Sequence, residues 1–599
     1  MIKIIKQLFI LLTPNQRKRF FTLQILVVIM AIMEILGVAS IIPFMALVGD
    51  MSQLKEDNAI SKVFELSGIE SESQFLFFLG IIVLIMLFFS AMISMFTIWT
   101  LSMFANKIGA EIADRLYKHY LKQGWLFHTT TSSAQLTKKI AIETQRVTVG
   151  ILMPLMQINA RSILAVLMVL SIFIFDPIIA SIGFLTFTSA YFIIFKVVRT
   201  RLHNNGKAIS EVNEQRFRLM NEGFGGIKDL LLLGRDGDYI MRFNKTGHTL
   251  SYSLGLNAAL AAVPRYFMEL IAFGSMIIMV LFLIGSHDGN LGIILPILSV
   301  YALAGVKLLP AFQIIYANTA RIKANSAAFE SIEQDLISST KFSPVKSKSI
   351  NKDAIEIEKL ISLEDITFTY PNSKKPVLDK LDISIPVNNV IGIVGPSGSG
   401  KSTLIDVLLG LIIPQQGRLL IDNTEIGSSS LRAWQNTIGF VSQSIFLSEG
   451  TIAENVAFGI PKEQINIEQV YRSLKLANLE QLLEGLDKGI DTKVGERGVQ
   501  LSGGQRQRIG IARALYYEAQ VLVFDEATSS LDGITEKMIM EAIHDFSGKK
   551  TIIMIAHRLK TVEKCDKIFF IDKGKVVDKG TYSYLIKKND LFKKMAEHA

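Results

Sequence analysis

A glycine-rich segment that could bind phosphate follows a short apolar run in the second half of the 599-residue chain. The run Val390–Val394 predicts a buried strand, and the nine residues after it are Gly395, Pro396, Ser397, Gly398, Ser399, Gly400, Lys401, Ser402 and Thr403. Glycines let the backbone curl so that its N–H groups point at phosphate oxygens, the lysine adds a positive charge, and the Ser402 hydroxyl can reach Mg²⁺. Because a helical pattern from Thr403 to Leu411 follows, this phosphate loop predicts a nucleoside-triphosphate site.

Two carboxylates and a histidine stand at the ends of two further predicted strands. Val521–Phe524 ends in Asp525 and Glu526, and Thr551–Ala556 ends in His557. The C-terminal ends of strands are where an open α/β sheet binds ligands. Asp525 suits Mg²⁺ coordination, and Glu526 suits the base that polarises an attacking water. A lone histidine is usually structural, but at this edge His557 could donate to a γ-phosphate.

Two domains must carry these residues. Short β-branched runs alternate with helical patterns over 357–599, which predicts an α/β domain, and the Ser- and Lys-rich stretch 338–356 is typical of a linker. Residues 1–337 contain six apolar segments of the roughly 20 residues that a bilayer-spanning helix needs, which predicts an all-α transmembrane domain. The predicted spans lie near 20–48, 75–104, 149–175, 177–199, 256–285 and 291–317.

The basic residues predict the orientation of this domain. Two stretches carry most of them: Lys107, Arg115, Lys118, Lys122, Lys138, Lys139 and Arg146, then Lys196, Arg199, Arg201, Lys207, Arg216, Arg218, Lys228, Arg235, Arg242 and Lys245. The opposite loops hold Lys55 and Lys62 against Asp50, Glu56, Asp57, Glu65, Glu70 and Glu72. Lys and Arg favour the cytoplasmic side, so both termini and the α/β domain are expected there. The net charge of +9 then favours an anionic membrane surface over nucleic acid as its cause.

Helical periodicity continues outside the spans. Ile108, Ile112, Leu116 and Tyr120 share one face, which predicts a cytoplasmic extension of the second span. Ile4, Leu8, Leu11 and Leu12 also share a face, which predicts an amphipathic helix on the inner leaflet or an ordinary start to the first span. The single cysteine, Cys565, excludes an intrachain disulfide and is expected to be a buried small apolar side chain.

Five ionisable residues fall inside the predicted spans: Glu34, Arg161, Arg265, Glu269 and Lys307. A charge at membrane depth is costly and usually faces a partner or a water-filled cavity. Arg265 and Glu269 are four residues apart, so pairing with each other is an open alternative for them. Arg161 and Lys307 have no local partner. Together with Arg265, they predict a cationic cavity for an anionic substrate such as a phosphate or pyrophosphate head group.

The second half of the chain resembles the ATP-binding cassette family. Leu501-Ser502-Gly503-Gly504-Gln505 is similar to the signature sequence that separates this family from other phosphate-loop ATPases, and Thr492–Gly498 resembles a segment of exporters. By this resemblance Tyr370 stacks on adenine and His557 is the switch histidine. Gln443 links the nucleotide and its Mg²⁺ to the transmembrane domain, and Ser529–Asp532 is the loop that contacts the partner across the dimer.

The resemblance also implies a stoichiometry. In the family, ATP lies between the phosphate loop of one cassette and the signature of another, and this chain has one of each with six spans instead of twelve. A homodimer is therefore the economical expectation. The signature supplies the Ser502 hydroxyl and the N–H groups of Gly503 and Gly504 to the partner's γ-phosphate, with short coupling helices expected near 127–135 and 211–221.

The substrate is the least defined expectation. Glu34–Phe44, Gly225–Asp229 and an outer loop at 51–74 resemble bacterial flippases of lipid-linked oligosaccharides, which implies the bacterial inner membrane. The apolar residues Ile60, Val63, Phe64 and Leu66 predict a short external helix in that loop. A lipid A-type glycolipid, a hydrophobic drug or a peptide stay as alternative substrates. An ATP-gated channel or receptor and a membrane-anchored ATPase stay as alternative functions.

Overall fold

The computed structural model describes residues 2–49, 51–55, 59–175, 177–286, 291–341, 354–371, 373–495, 498–526, 533, 536–537, 540–541, 548–556 and 558–597. The chain divides into two compact units. The first contains residues 1–123 and 127–344, and the second contains 124–126 and 345–599.

Helices form the first unit. They are α1 (Ile2–Leu11), α2 (Pro14–Ala39), α3 (Ile41–Gly49), α4 (Ala59–Ser67), α5 (Glu72–Leu121), α6 (Trp125–Thr130), α7 (Ser133–Lys138), α8 (Thr144–Val147), α9 (Met153–Phe175), α10 (Pro177–Gly225), α11 (Ile227–Leu233), α12 (Asp236–Ala262), α13 (Pro264–Ser286) and α14 (Leu291–Lys341). Single π-helical turns at Lys139–Glu143 and Thr148–Leu152 flank α8.

Four helical stretches of the described residues are long and apolar enough to cross a membrane: Pro14–Gly49, Glu72–Leu121, Ser133–Ile174 and Asp236–Ile278. Helices α10 and α14 run through the other two predicted spans, 177–199 and 291–317, where many side chains lie outside the described part. Residue 176 and residues 287–290, which separate consecutive predicted spans, also lie outside it. Helix α14 continues to Lys341, so the helix occupies the first residues of the predicted linker 338–356.

The amphipathic helix α1 packs on protein. Leu8 and Leu11 are buried in one apolar cluster with Ile108, Ile112 and Leu336. Burying these side chains against α5 and α14 removes them from the lipid interface that the sequence had suggested. The predicted face of α5 is confirmed, because Leu116 and Tyr120 belong to the same cluster.

A network of buried charges, just before the predicted third span in the chain, joins α8 to α10 and α14. Glu143 is fully buried, and its carboxylate lies 2.9 Å from Arg146 Nη1 and 3.8 Å from Lys138 Nζ. Arg146 also donates to Gly206 O at 3.2 Å on α10 and to Asn325 Oδ1 at 3.2 Å on α14. Losing one partner of a buried ion pair is strongly destabilising, so this network links α8, α10 and α14.

The outer segment contains the expected short helix, α4. Ile60 and Phe64 pack with Leu47, Leu54 and Phe75, and the Phe64 and Phe75 rings meet edge to face at 5.0 Å. Val63 and Leu66, which were placed on the same apolar side, are exposed. The helix therefore buries one face and leaves a second apolar strip uncovered within the described residues.

Two sheets build the second unit. The strands are β1 (Leu360–Phe368), β2 (Leu378–Pro386), β3 (Val390–Val394), β4 (Gln416–Ile421), β5 (Thr424–Glu425), β6 (Ile438–Val441), β7 (Val521–Asp525), β8 (Thr551–Ile555), β9 (Lys567–Asp572) and β10 (Lys575–Gly580). One sheet is antiparallel in the order β2-β1-β4-β5, and the other has the order β10-β9-β3-β8-β7-β6. In the second sheet, all neighbours except β10 and β9 run parallel.

Helices cover both faces of the six-stranded sheet, which is why its central strands are buried throughout. These helices are Lys401–Leu408, Leu431–Asn436, Ile452–Val456, Ile467–Leu476, Glu480–Glu484, Gly503–Tyr516, Tyr582–Lys588 and Asp590–Glu597. Trp125, which groups with this unit, donates from Nε1 to Asp406 Oδ2 at 3.2 Å. Cys565 is buried, as expected, and burial raises its thiol pKa to about 12.

Candidate functional site

The phosphate loop connects β3 to the helix that begins at Lys401, as predicted. Gly398 and Gly400 have φ values of +76° and +105°, a region that side chains with a Cβ rarely adopt. A Cβ on Gly395 would lie 2.0 Å from Ile571 O. These glycines are therefore required by the shape of the loop, and the loop forms a cradle of backbone groups at a helix N-terminus.

Two side chains in the cradle fit a phosphate ligand. Lys401 is buried and donates from Nζ to Gly395 O at 2.8 Å and to Pro396 O at 2.9 Å. Burial lowers the pKa of Lys401, and the carboxylates of Glu526 and Asp525 oppose this shift. The buried Ser399 Oγ has no hydrogen-bond partner among the described residues. Phosphate oxygens would satisfy both groups, so the residues present fit a nucleoside triphosphate.

Parallel register brings the predicted acidic residues to the same edge. Strands β3, β8, β7 and β6 are neighbours, with Gly392 opposite Met554, Asp525 opposite Ile555 and Val441 opposite Phe524. The segments that follow these strands therefore leave the sheet at one edge. This edge holds the phosphate loop, Asp525 with Glu526, and Gln443.

Glu526 is held in an unusual backbone conformation. Its φ of +50° is uncommon for a residue with a side chain. Its N–H donates to Ile555 O at 3.2 Å, and its own carbonyl accepts from Gln507 Nε2 at 3.4 Å. Gln443 Nε2 donates to Glu526 Oε2 at 2.6 Å. The carboxylate is thus directed away from the strand and contacts the glutamine that the sequence assigned to the nucleotide.

Tyr370 lies beside the phosphate-loop helix. Its hydroxyl is 3.2 Å from Thr403 Oγ1, and its ring meets Phe368 edge to face at 5.0 Å. Two neighbours therefore fix the ring next to the phosphate loop. This position agrees with the adenine-stacking role that the resemblance implies.

The signature sequence begins a helix. Ser502 caps Gly503–Tyr516: its Oγ accepts from Gln505 N at 3.2 Å, and its N–H donates to Gln505 Oε1 at 2.8 Å. This reciprocal cap fixes the first turn, whose N–H groups and dipole favour an anion. His557, Asp532 with the rest of Ser529–Asp532, and Glu496 with Arg497 lie outside the described residues.

The intramembrane charges form two separate groups. Arg265 pairs with Glu269, Nε to Oε1 at 2.6 Å, which is the local pairing that the sequence left open. Arg161 Nη1 lies 3.5 Å from Glu34 Oε1, and Lys307 Nζ lies 3.5 Å from Glu34 Oε2. The two cations without a local partner therefore share one carboxylate from a third helix.

A cavity adjoins this shared carboxylate. It has a volume of about 190 Å³ and is lined by Ile98, Leu101, Ser102, Met153, Met156, Gln157, Ala160, Arg161 and Ile314. Arg161 is the charged residue in this lining, so one guanidinium faces both the cavity and Glu34. Lys307 and Arg265 do not line the cavity.

Two positioning residues could not be assigned from the sequence. Gln507 stands in the signature helix, but nothing in its spacing indicates a contact with the Glu526 backbone. Ser94, in the uncharged second span, donates from Oγ to Glu34 Oε1 at 2.8 Å. A serine in an apolar helix most often donates to the backbone of its own helix, so the position of Ser94 in the sequence did not indicate a contact with Glu34.

The segment expected to hold the second coupling helix lies inside a longer helix. Residues 211–221 belong to the continuous helix α10, and the short helix after the turn at Gly226 is α11. Helix α11 begins 16 residues after the start of the expected segment. The first short helix, α6, overlaps the expected 127–135.

Comparison with known proteins gives matches over both units. The family model described as the ABC transporter transmembrane region matches residues 20–305, and the ABC transporter model matches 378–529. Proteins called ATP-dependent lipid A-core flippase are similar to this chain. That of Ralstonia nicotianae is 27% identical over 82% of each chain, and that of Vibrio vulnificus is 28% identical over 87% of this chain and 88% of that protein. That of Cupriavidus pinatubonensis is 41% identical, but over 38% of this chain and 39% of that protein.

A solved structure supports the same fold. The structure of a bacterial Atm1-family ABC exporter with ATP bound superposes with a TM-score of 0.77 over 96% of this chain and 98% of that chain, at 20% identity. The predicted order, a helical transmembrane domain and then a phosphate-loop nucleotide-binding domain, is confirmed. The chain therefore belongs to the ABC transporter family, as a multi-pass membrane protein whose second domain is an ATP-hydrolysing cassette.

Proposed function

We propose that two copies of this chain form an ATP-driven flippase for a lipid-linked oligosaccharide in the bacterial inner membrane. The observation that carries this proposal is the joining, in one chain, of an intact nucleotide site to a cationic cluster at membrane depth. Arg161 and Lys307 provide two positive charges for one carboxylate, so the cluster favours an anion. A pyrophosphate linkage between lipid and sugar supplies that anion.

The cassette residues divide the work of hydrolysis. The phosphate loop holds and orients the triphosphate, while Lys401 neutralises its terminal charge. Glu526 accepts a proton from the attacking water, and Gln443 holds the carboxylate in position through its 2.6 Å hydrogen bond. Ser402, Asp525 and Gln443 would hold Mg²⁺, which supplies charge neutralisation to the phosphates when bound. His557 is assigned to the γ-phosphate by resemblance.

Two copies complete each nucleotide site. Ser502, Gly503 and Gly504 begin a capped helix with free N–H groups in its first turn, and the family arrangement places this turn on a partner's nucleotide. Closure of two cassettes on ATP and reopening after hydrolysis would then drive the helices between inward- and outward-facing states, with both termini in the cytoplasm.

A lipid A-type glycolipid is the second candidate substrate. The specific observation in its favour is the printed name of relatives that align over more than four fifths of this chain. Both candidates place phosphate beside sugar on a lipid. The cationic cluster alone does not separate them.

Reconstitution in liposomes tests the proposal. The purified chain, with no other protein, is expected to flip a fluorescent polyprenyl-pyrophosphate-linked oligosaccharide only with ATP and Mg²⁺, and E526Q is expected not to. ATP hydrolysis with flipping of lipid A alone would move the assignment to the second candidate. ATP hydrolysis with flipping of neither would remove the flippase assignment and leave the other exporter substrates.

A further inference from the structure

Glu34 is a buried carboxylate that the proposed transport cycle does not yet use. It stands on α2 and is only 5% exposed, with three polar neighbours from three other helices. Ser94 comes from α5, Arg161 from α9 and Lys307 from α14. An ionisable group at this depth needs a functional or a pairing explanation, and simple pairing leaves an imbalance here.

The cluster carries one more positive than negative charge. Glu34 faces both Arg161 and Lys307, whereas Glu269 on α13 faces Arg265 alone. The two contacts of Glu34 with its cations are 3.5 Å long, and the contact of Glu269 with Arg265 is 2.6 Å. Charge-assisted hydrogen bonds are normally about 2.7–2.9 Å, so neither cation is tightly held by Glu34.

The hydrogen bond from Ser94 is the short contact of this cluster, at 2.8 Å to Glu34 Oε1. The carboxylate is therefore anchored by a neutral donor and only loosely contacted by the cations. Arg161 also lines the adjoining cavity. An anion entering there meets a guanidinium that can turn from one oxygen acceptor to another without leaving a buried charge unpaired.

We propose that Glu34 is a competing counter-ion that sets how tightly the phosphate of the substrate is held and returns to Arg161 and Lys307 to release it. This inference rests on the proposed function, because it assumes a phosphate-bearing lipid as substrate. A transporter must bind its substrate strongly enough to load it and weakly enough to let it leave. An internal carboxylate that exchanges with the phosphate meets both needs at one site.

The exchange predicts a pair of kinetic changes that a structural role would not give. Removing the charge with E34Q leaves the phosphate without a competitor. The half-saturating concentration of lipid-linked pyrophosphate is then expected to fall by about 5-fold or more, the lower end of ordinary coupling between competing partners. The maximal flipping rate is expected to fall as well, because release becomes slower. A variant that merely loosens the helices would lose rate without binding more tightly.

The test uses the full chain in liposomes, with equilibrium binding of a short-chain prenyl pyrophosphate measured in detergent. D238N is the matched control, because Asp238 is a partly exposed carboxylate on α12 that lies 3.3 Å from Arg235, outside the cluster. It is expected to bind and flip as the unsubstituted chain does. K307Q is expected to bind more weakly than the unsubstituted chain, opposite to E34Q. E34D, which keeps the charge on a shorter side chain, is expected to lie between E34Q and the unsubstituted chain.

Tighter binding by E34Q with a lower maximal rate would support the exchange for either lipid source, prenyl pyrophosphate or lipid A phosphate. Unchanged or weaker binding by a folded E34Q would overturn it, and if E34Q fails to fold, unchanged binding by E34D would do the same. If the unsubstituted chain neither binds nor flips any phosphate-bearing lipid, the proposed function itself fails. That outcome differs from the one that overturns the exchange alone, in which the unsubstituted chain binds and flips the lipid and E34Q binds it no more tightly.

Discussion

At the scale of single residues, the cassette depends on side chains whose positions are fixed by backbone contacts. Glu526 adopts a positive φ, which costs about 1–3 kcal/mol and persists only because its surroundings hold it there. The surroundings here are the carbonyl of Ile555 and the amide of Gln507. The strain directs the carboxylate to Gln443, where it can act as a base at the phosphate edge.

Replacing Glu526 by Gln removes the base and keeps the shape of the site. We expect ATP turnover to fall by about 10²–10⁴-fold, the usual contribution of a general base, while ATP binding stays. E364Q is the control, since Glu364 is an exposed β1 carboxylate paired with Arg418 at 3.0 Å. Steady-state phosphate release and equilibrium ATP binding measure the two effects. Turnover by E526Q at the rate of E364Q would contradict the assignment.

The sequence predicted the chemistry of the nucleotide site better than it predicted which side chains contact each other. Lys401 and Asp525 were predicted from motif spacing and a strand end, because parallel strands bring such positions to one edge, whereas Gln443 was predicted from the family resemblance. The contact of Arg161 and Lys307 with Glu34 could not be found in this way. Three helices separated by more than a hundred residues supply it, and periodicity within one helix carries no information about pairing between helices.

At the scale of elements, the backbones of α10 and α14 approach each other closely. A Cβ on Gly206 of α10 would lie 2.1 Å from the carbonyl oxygen of Ala324 on α14. Gly223 lies on the same helix, but a Cβ there would meet only Tyr239, at 3.7 Å. Replacing each glycine by alanine therefore separates the effect of helix propensity, which both positions share, from the effect of packing, which only Gly206 has.

We expect G206A to lower stability and G223A to preserve or raise it. An alanine in a helix is favoured over glycine by about 1 kcal/mol, but at Gly206 overpacking against backbone costs about 1–3 kcal/mol. Thermal unfolding of the purified proteins in detergent measures both changes. A G206A protein with the same Tm as G223A would show that α10 and α14 do not approach this closely.

Most element boundaries followed from pattern, and the exceptions have physical causes. The strands β3, β7 and β8 were predicted within one residue, since each is a short, continuous apolar run that is buried in the sheet. The prediction that the apolar face of α1 contacts lipid was wrong, because the sequence pattern of an amphipathic helix is the same whether lipid or protein covers that face. The end of α14 was missed because a Ser- and Lys-rich sequence can continue a helix when tertiary contacts support it.

At the scale of the whole molecule, the arrangement of motifs is the basis of the proposed dimer. The phosphate loop and the signature each occur once, and the family sandwiches ATP between one of each from two cassettes. A defect in the loop and a defect in the signature should therefore complement when they lie on different chains. Complementation is expected if two identical chains share each nucleotide site. It is not expected if the phosphate loop and the signature of one chain form a site together.

A mixture of K401A and G504E chains tests this logic. K401A removes the positive charge of the phosphate loop, and G504E puts a carboxylate against the γ-phosphate, at a helix N-terminus where an acidic side chain is compatible with the helix dipole. In a mixed dimer both defects fall in one site, which leaves the other site intact.

Chains co-expressed at equal levels should retain about a quarter of the ATP occluded by the unsubstituted dimer, since random pairing makes half of the dimers mixed and each keeps one of two sites. Each variant alone should occlude none. Rapid filtration with labelled ATP measures the retained nucleotide. Retention no higher in the mixture than in either variant would mean that the two motifs do not meet across a pair of identical chains.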